Sequence, residues 1–254
     1  MRRASQRDNT YELYYWRGLP GRGEFVRLTL EAAGVAYRDI AQEGGDGAAA
    51  LTSPMWAIDG NILKTPSFAP PLLRHGELVI GQTANILGYL GPRHDLAPDD
   101  EAGRLWVQQL QLTLADWVLE IHDTHHPIAS GLHYEDQAEE AARRSEEFLL
   151  SRLPKYLDYF DGVIALSPGP YLAGPRMSYA DLSLFLVVEG LRYAFPTAMR
   201  RREACHPAIS TLVEAVLAHP PLATYWHSPR RQAFGDGLFR FYPELDALAR
   251  KSDD

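Results

Sequence analysis

The sequence predicts an α+β chain whose strands all lie in its first third. Three observations predict it. Up to Gly91, short alternating runs take turns with short helical ones. After Asp100, apolar residues recur only at three- and four-residue spacing. Between the two lies "GPRHDLAPDD", a linker by its Gly, Pro and Asp content. A mixed section followed by an all-helical one reads as two domains, 10–91 and 100–254.

Each element has its own signal. Tyr11, Leu13 and Tyr15 alternate with Glu12 and Tyr14, which makes residues 11–16 a strand. Phe25, Val26, Leu28, Leu30, Ala32 and Ala33 suit a helix from Glu24, and Gly34 is its stop. "VAYRDIA" alternates again. The following stretch to Pro71 is dense in Gly and Pro and reads as irregular. "LLRHGELVIG" is a hairpin pivoting on His75-Gly76, and "QTANILGYLG" opens a short helix. Trp106, Leu110, Leu114, Trp117, Val118 and Ile121 share one face of a long helix that Pro127 stops. Residues 135–160 continue helical. "SYADLSLFLVVEGLRYAF" is apolar nearly all round, hence central, and Ser178 with Asp181 forms its capping box. Residues 207–218 and 222–227 give shorter helices, and the aromatic tail "FGDGLFRFYPELD" lies down on the body.

Composition narrows the function. A chain of 254 residues with a formal net charge of −8 is a poor default partner for nucleic acid or anionic membrane. Its one cysteine, Cys205, excludes disulfide frameworks, thiolate zinc sites and CxxC redox centres within the chain and fits a reducing cytoplasm. The longest apolar run, "LSLFLVV", falls well short of the ~18 residues of a membrane helix. The start, "MRRASQRDNT", lacks an apolar h-region and reads as a polar leader.

The most informative stretch is "LYYWRGLPGRGEF", Leu13 to Phe25. A phosphate-binding P-loop needs a Lys followed by Ser or Thr, and none is here. A dinucleotide turn needs a third glycine where Val26 stands. The turn is therefore structural, or it serves the tyrosines beside it.

With its continuation to Tyr37, this stretch resembles the opening of the tyrosine-type cytosolic glutathione transferases (alpha-, mu-, pi- and sigma-like), in a bacterial-style version. "APPLLRHGELVIGQTANILGYL", "QLQLTLADWVLEI" and "YLAGPRMSYADLSLF" resemble three further segments of that family in the right order, so that the likeness spans about residues 10–228. It implies a thioredoxin-like glutathione-binding domain, an all-helical domain with the hydrophobic co-substrate site, a homodimer and a cytoplasmic detoxifying enzyme. The implied reaction joins the thiolate of reduced glutathione, as co-substrate, to a small-molecule electrophile, with no metal, nucleic acid or membrane involved.

The same likeness implies the site. Tyr15, two residues after Leu13, is the residue that meets the sulfur, and Tyr14 is the alternative if a bulge turns it inward. Counting back without gaps from Gly21-Arg22 lands on Trp16, so the "GLPG" turn carries one extra residue. Arg22 matches the arginine that assists the thiolate, or is a surface arginine at a helix start. A cis proline holds the glutathione-pairing main chain open. Spacing to Gly76 selects Pro70 over Pro66, with Ala69, and Phe68 before it, offering the backbone. Gln82 and Thr83, at a helix start, take the γ-glutamyl carboxylate. Asp116 reaches the γ-glutamyl amine across the dimer, or lies on a solvated face. Lys64 and Trp56 are candidates for the glycine carboxylate.

"HDTHHP" sets His122 and His126 four apart. The pattern mimics a zinc helix, but Asp is shorter than the Glu base and no third ligand is signalled. The family likeness puts the co-substrate pocket here instead, with the histidines lining it or forming a hydrogen-bonded knot at the helix end. The rival readings are a glutathione-binding scaffold without turnover, a glutathione-dependent isomerase or peroxidase, and a metal enzyme built on the histidines.

Overall fold

The computed structural model describes residues 10–43, 57–58 and 61–248. They group into two compact units. One holds the chain up to Leu96 together with Pro220–Ala233. The other holds Ala97–His219 and the chain from Phe234. Pro220–Ala233, read from the sequence as part of the helical section, thus packs with the first unit.

The first unit is built on a four-stranded sheet. Its strands are β1 (Tyr11–Tyr14), β2 (Tyr37–Asp39), β5 (Leu72–His75) and β6 (Leu78–Gly81), in the order β2-β1-β5-β6. β1 and β2 are parallel, with Tyr11 opposite Tyr37, and α1 (Gly23–Ala32) connects them. β5 runs antiparallel to β1, Leu13 opposite Leu73, and returns through a hairpin to β6. The hairpin turns at Gly76-Glu77, one residue later than the spacing predicts, with Gly76 at φ 61°. Within the stretch expected to be irregular, Ala57–Ile58 (β3) and Asn61–Ile62 (β4) form a short antiparallel ladder.

The period-2 pattern decides what β1 buries. Tyr11 and Leu13 join Val26 and Leu30 of α1, Leu73, Ile80, and Ile86 and Leu90 of α2 (Thr83–Leu90) in one core. Tyr14 faces the opposite side of the sheet with Leu72, against Ile40 and Val79. α1 ends as its sequence requires: Gly34, at φ 64°, donates to the Glu31 carbonyl and Val35 to the Leu30 carbonyl, a Schellman closure.

The second unit is helical. α3 (Glu101–Asp123) starts where the Asp100 carboxylate accepts the Gly103 N–H at 2.8 Å. α4 (Ala138–Glu147) runs through a π turn, Phe148–Arg152, into α5 (Leu153–Leu166). Trp117 of α3 stacks on Tyr156 of α5, centroids 4.8 Å apart. α6 (Tyr179–Ala194) is buried along nearly its whole length and packs on α3 and α8 (Pro207–Leu217). The Ser178 N–H and hydroxyl donate to one Asp181 oxygen and the Leu172 N–H to the other.

α7 (Pro196–Glu203) intervenes between α6 and α8, and α9 (Pro220–Trp226) follows them. In the tail, Leu238 and Phe239 are buried. At the end of α10 (Pro243–Asp246), Asp246 accepts from the N–H and hydroxyl of Thr197 and so caps α7 from 49 residues away.

Candidate functional site

The turn after β1 is organised around one ring. Tyr15 lies past the strand end, is buried, and passes directly beneath the glycines that follow. A Cβ on Gly21 would come 2.3 Å from the Tyr15 hydroxyl, and one on Gly23 would come 2.6 Å from its ring. Gly21 also sits at φ 40°. These two positions need glycine because an aromatic ring fills the space a side chain would take.

The Tyr15 hydroxyl oxygen accepts the Arg22 N–H at 2.9 Å, at the N-terminus of α1. No other group among the described residues takes part, so the phenol's own proton is uncommitted. Burial raises the Tyr15 pKa against the opposing Arg22 N–H and the charges of Arg22 and Arg27. The group is thus a neutral donor at physiological pH, set beside the positive end of a helix. The Arg22 side chain itself makes no hydrogen bond or ion pair among the described residues.

Tyr14 is placed differently. On the other sheet face, its hydroxyl donates to Glu12 at 2.9 Å, and burial together with Glu12 pushes its pKa up to about 12. Its proton is already taken by a carboxylate.

A second group of residues comes together around β6. Phe68, Ala69 and Gln82 line a groove of about 370 Å³ with Pro66, Ser67 and Asn85. The cis peptide bond lies between Pro70 and Pro71, not between Ala69 and Pro70 as the spacing predicts. The "APP" tripeptide allows either, and the hairpin register puts the bond next to Leu72, the first residue of β5. The residue before it is Pro70, which has a carbonyl but no N–H, so the main chain there can only accept.

Gln82 caps α2 with φ 68° and ψ 120°, a conformation that non-glycine residues seldom hold. The Thr83 hydroxyl behind it is buried without a partner among the described residues. A helix start with an unpaired hydroxyl is suited to an anion. Lys64 is exposed, and Trp56 lies outside the described residues.

In the second unit, Asp116 is exposed on α3, on a face that also carries the exposed Leu105, Leu112 and Leu119 at seven-residue intervals. At the end of the same helix three imidazoles meet. The His122 and His126 ring centroids are 5.5 Å apart, and His125 lies 5.0 and 4.7 Å from them.

His125 is the member that spacing alone does not single out. It is buried, its Nε2 faces the Leu238 carbonyl at 3.1 Å, and its Nδ1 hydrogen-bonds to Nδ1 of His126. Since a carbonyl only accepts, His125 Nε2 carries the proton and its Nδ1 accepts from His126. Burial depresses the His125 pKa to about 3 and also lowers that of His126. The cluster is therefore a hydrogen-bonded knot tying the end of α3 to the tail. Among the described residues no group of three His, Cys, Asp or Glu side chains is arranged to hold a metal ion. No helix among them is long and apolar enough to cross a membrane.

A model of the family described as "Glutathione S-transferase, C-terminal domain" matches residues 122–229. The chain is 22% identical over 206 residues to a glutathione S-transferase of Plasmodium yoelii yoelii, covering 81% of this chain and 88% of that one. It is 28% identical over 187 residues to glutathione S-transferase Mu 6 of Mus musculus, covering 74% and 78%. The solved structure of the Pi-class glutathione S-transferase of Onchocerca volvulus shares the fold at a TM-score of 0.64, with 20% identity over 85% of this chain and 92% of that one.

Proposed function

We propose that this chain, a member of the cytosolic glutathione transferase family, uses the Tyr15 hydroxyl to hold the thiolate of reduced glutathione for attack on an apolar electrophile. The observation that carries the reading is the state of that hydroxyl: its oxygen is occupied by the Arg22 N–H while its proton is free to donate.

The energetics are sufficient. A free thiol has a pKa near ~8.5 and is only a few per cent thiolate at neutral pH. Lowering it by about two units takes about 2.7 kcal/mol. One charge-assisted hydrogen bond supplies about 1.5–3 kcal/mol. The α1 N-terminus and the uncommitted Arg22 guanidinium add to the same end. The thiol proton leaves to solvent. The sulfur then forms a bond to carbon, and either a leaving group departs with its electron pair or, in an addition, water supplies the proton.

The rest of the tripeptide finds matching chemistry. Gln82 and the start of α2, with the unpaired Thr83 hydroxyl, suit the γ-glutamyl carboxylate. The groove beside Phe68 and Ala69 borders the main chain at Pro70, whose carbonyl can accept from the glutathione backbone. Asp116 is the group for the γ-glutamyl amine of a second copy. Two exposed features support a homodimer: the leucine row around Asp116, and Phe68, which is 95% exposed. The protein works in the cytoplasm, in keeping with its single, free cysteine.

The test is Tyr15→Phe, assayed with a generic aromatic electrophile. The variant is expected to fold and to bind glutathione, while conjugation falls about 10- to 100-fold, the equivalent of the lost hydrogen bond. Full activity in this variant moves the role elsewhere.

A further inference from the structure

The segment that returns to the first unit makes one buried polar contact of consequence. Tyr225 of α9 is fully buried, and its hydroxyl donates to Glu24 Oε1 at 2.8 Å, across 201 residues of sequence. Glu24 stands in the first turn of α1 and is itself buried. Its Oε2 accepts from Arg27 Nη1 at 3.1 Å.

Arg27 is 1% exposed and touches every part of the turn's support. The same Nη1 reaches the Leu19 and Pro20 carbonyls at 3.4 and 3.3 Å, and Nε donates to Asp39 at the end of β2 at 2.6 Å. The guanidinium also lies 5.9 Å from the centre of the Tyr15 ring. Pro20, whose carbonyl additionally accepts the Glu24 N–H at 2.8 Å, stands two residues before Arg22.

This arrangement is not the one that stability alone favours. A buried ion pair is seldom better than apolar residues of the same size. Here Arg27 Nη2 and Asp39 Oδ1 are also buried without partners among the described residues. The return is geometric: one rigid fork fixes the turn, the helix start and the strand end in a single arrangement.

We infer that Arg27, Glu24 and Tyr225 are positioning residues, which hold the Leu19–Arg22 turn, and through it the Tyr15 hydroxyl and the Arg22 N–H, in register for the sulfur. The inference rests on the proposed role of Tyr15 and extends it to the far end of the chain. The other charged or titratable groups near the network are Tyr37, Glu31, Arg230 and Arg231. Of these, Arg230 pairs with Glu31 and leaves the turn untouched.

The experiment compares Tyr225→Phe and Arg27→Lys with the unmodified chain. The readouts are kcat and KM for glutathione across pH, and the ultraviolet absorbance of the bound thiolate. Tyr225→Phe keeps the ring and loses only the hydroxyl. It is expected to lower kcat roughly 10-fold, as a slightly misplaced site does, with KM for glutathione changed less than about twofold. The acid limb of the pH profile moves to higher pH. Arg27→Lys keeps the charge without the fork and shifts the limb the same way. An acid limb that stays in place in a folded Tyr225→Phe overturns the positioning role, even if the variant is less stable. If Arg27→Lys does not fold, Tyr225→Phe with Glu24→Gln decides by the same readout. Tyr15→Phe separates the two ideas. If it leaves the thiolate absorbance intact, the proposed role of Tyr15 fails. If it abolishes the absorbance while Tyr225→Phe changes nothing, only the positioning role fails.

Discussion

α1 and α6 are both buried almost all round, and they are built from opposite materials. α6 encloses Leu182, Leu184, Phe185, Leu186, Val187, Val188 and Leu191, with its buried carboxylate, Asp181, confined to the capping box. α1 encloses Glu24 and Arg27 in its first two turns, next to Phe25, Val26 and Leu28. Both pack as core helices. The difference teaches that α6 is there to hold the second unit together, whereas the start of α1 accepts the desolvation of two charges to fix a turn. Burial pulls the Arg27 pKa down, yet Glu24 and Asp39 more than reverse this, so the guanidinium stays charged.

The largest expected effect lies on the apolar side of the comparison. Phe185→Ala opens a cavity in the centre of α6 and is expected to lower unfolding stability by about 3–5 kcal/mol, read as a shift of the urea midpoint. At temperatures where the variant remains folded, its thiolate pH profile should match the unmodified chain. A shifted profile would blur the distinction between the two helices.

A smaller effect comes from the histidine knot. His125 is neutral in the folded state with a pKa of about 3, against ~6.5 unfolded. Its contribution to stability is complete above pH 6.5 and is lost as the pH falls, because only the unfolded chain takes up the proton. Between pH 6.5 and 5 the loss amounts to about 2 kcal/mol. His125→Gln, which can still donate to the Leu238 carbonyl, should flatten that slope in denaturant titrations. An unchanged slope would assign the acid sensitivity to other groups.

The smallest stability change is expected where the charges are. Replacing all three charged groups, Glu24→Gln and Asp39→Asn with Arg27→Met, removes the buried ion pairs without stranding a charge. Stability should move by no more than about 1 kcal/mol while conjugation falls roughly 10-fold. A large loss of stability with normal kinetics would make the pair structural and erase the contrast with α6.

The two helices also differ in what their residues reveal before any fold is known. α6 was legible: its continuous apolar run and the Ser178–Asp181 pair give both burial and start. So were the strand from Tyr11, which ends at Tyr14 rather than Trp16, and the Gly34 stop, which are local patterns. Glu24 and Arg27 were not, because an i, i+3 charge pair reads the same on a solvated face and in a core. Glu24 accepts from Tyr225, and neither that contact nor the grouping of Pro220–Ala233 with the first unit leaves a local mark.

The same limit explains the smaller misses. Tyr14 and Tyr15 are alike in the sequence, and only the fold shows that the Tyr14 hydroxyl donates to Glu12. Pro70 and Pro71 are identical neighbours, and only strand register tells which bond is cis. The i, i+4 spacing of His122 and His126 does not single out His125, whose partner is a carbonyl 113 residues on.

Whether the Tyr15 hydroxyl holds a thiolate is read by titrating bound glutathione through its ultraviolet thiolate absorbance. In the unmodified chain the thiol should ionise about two units below the ~8.5 of the free group. In Tyr15→Phe it should return most of the way. A bound thiol that titrates at the same pH in both proteins would contradict the account.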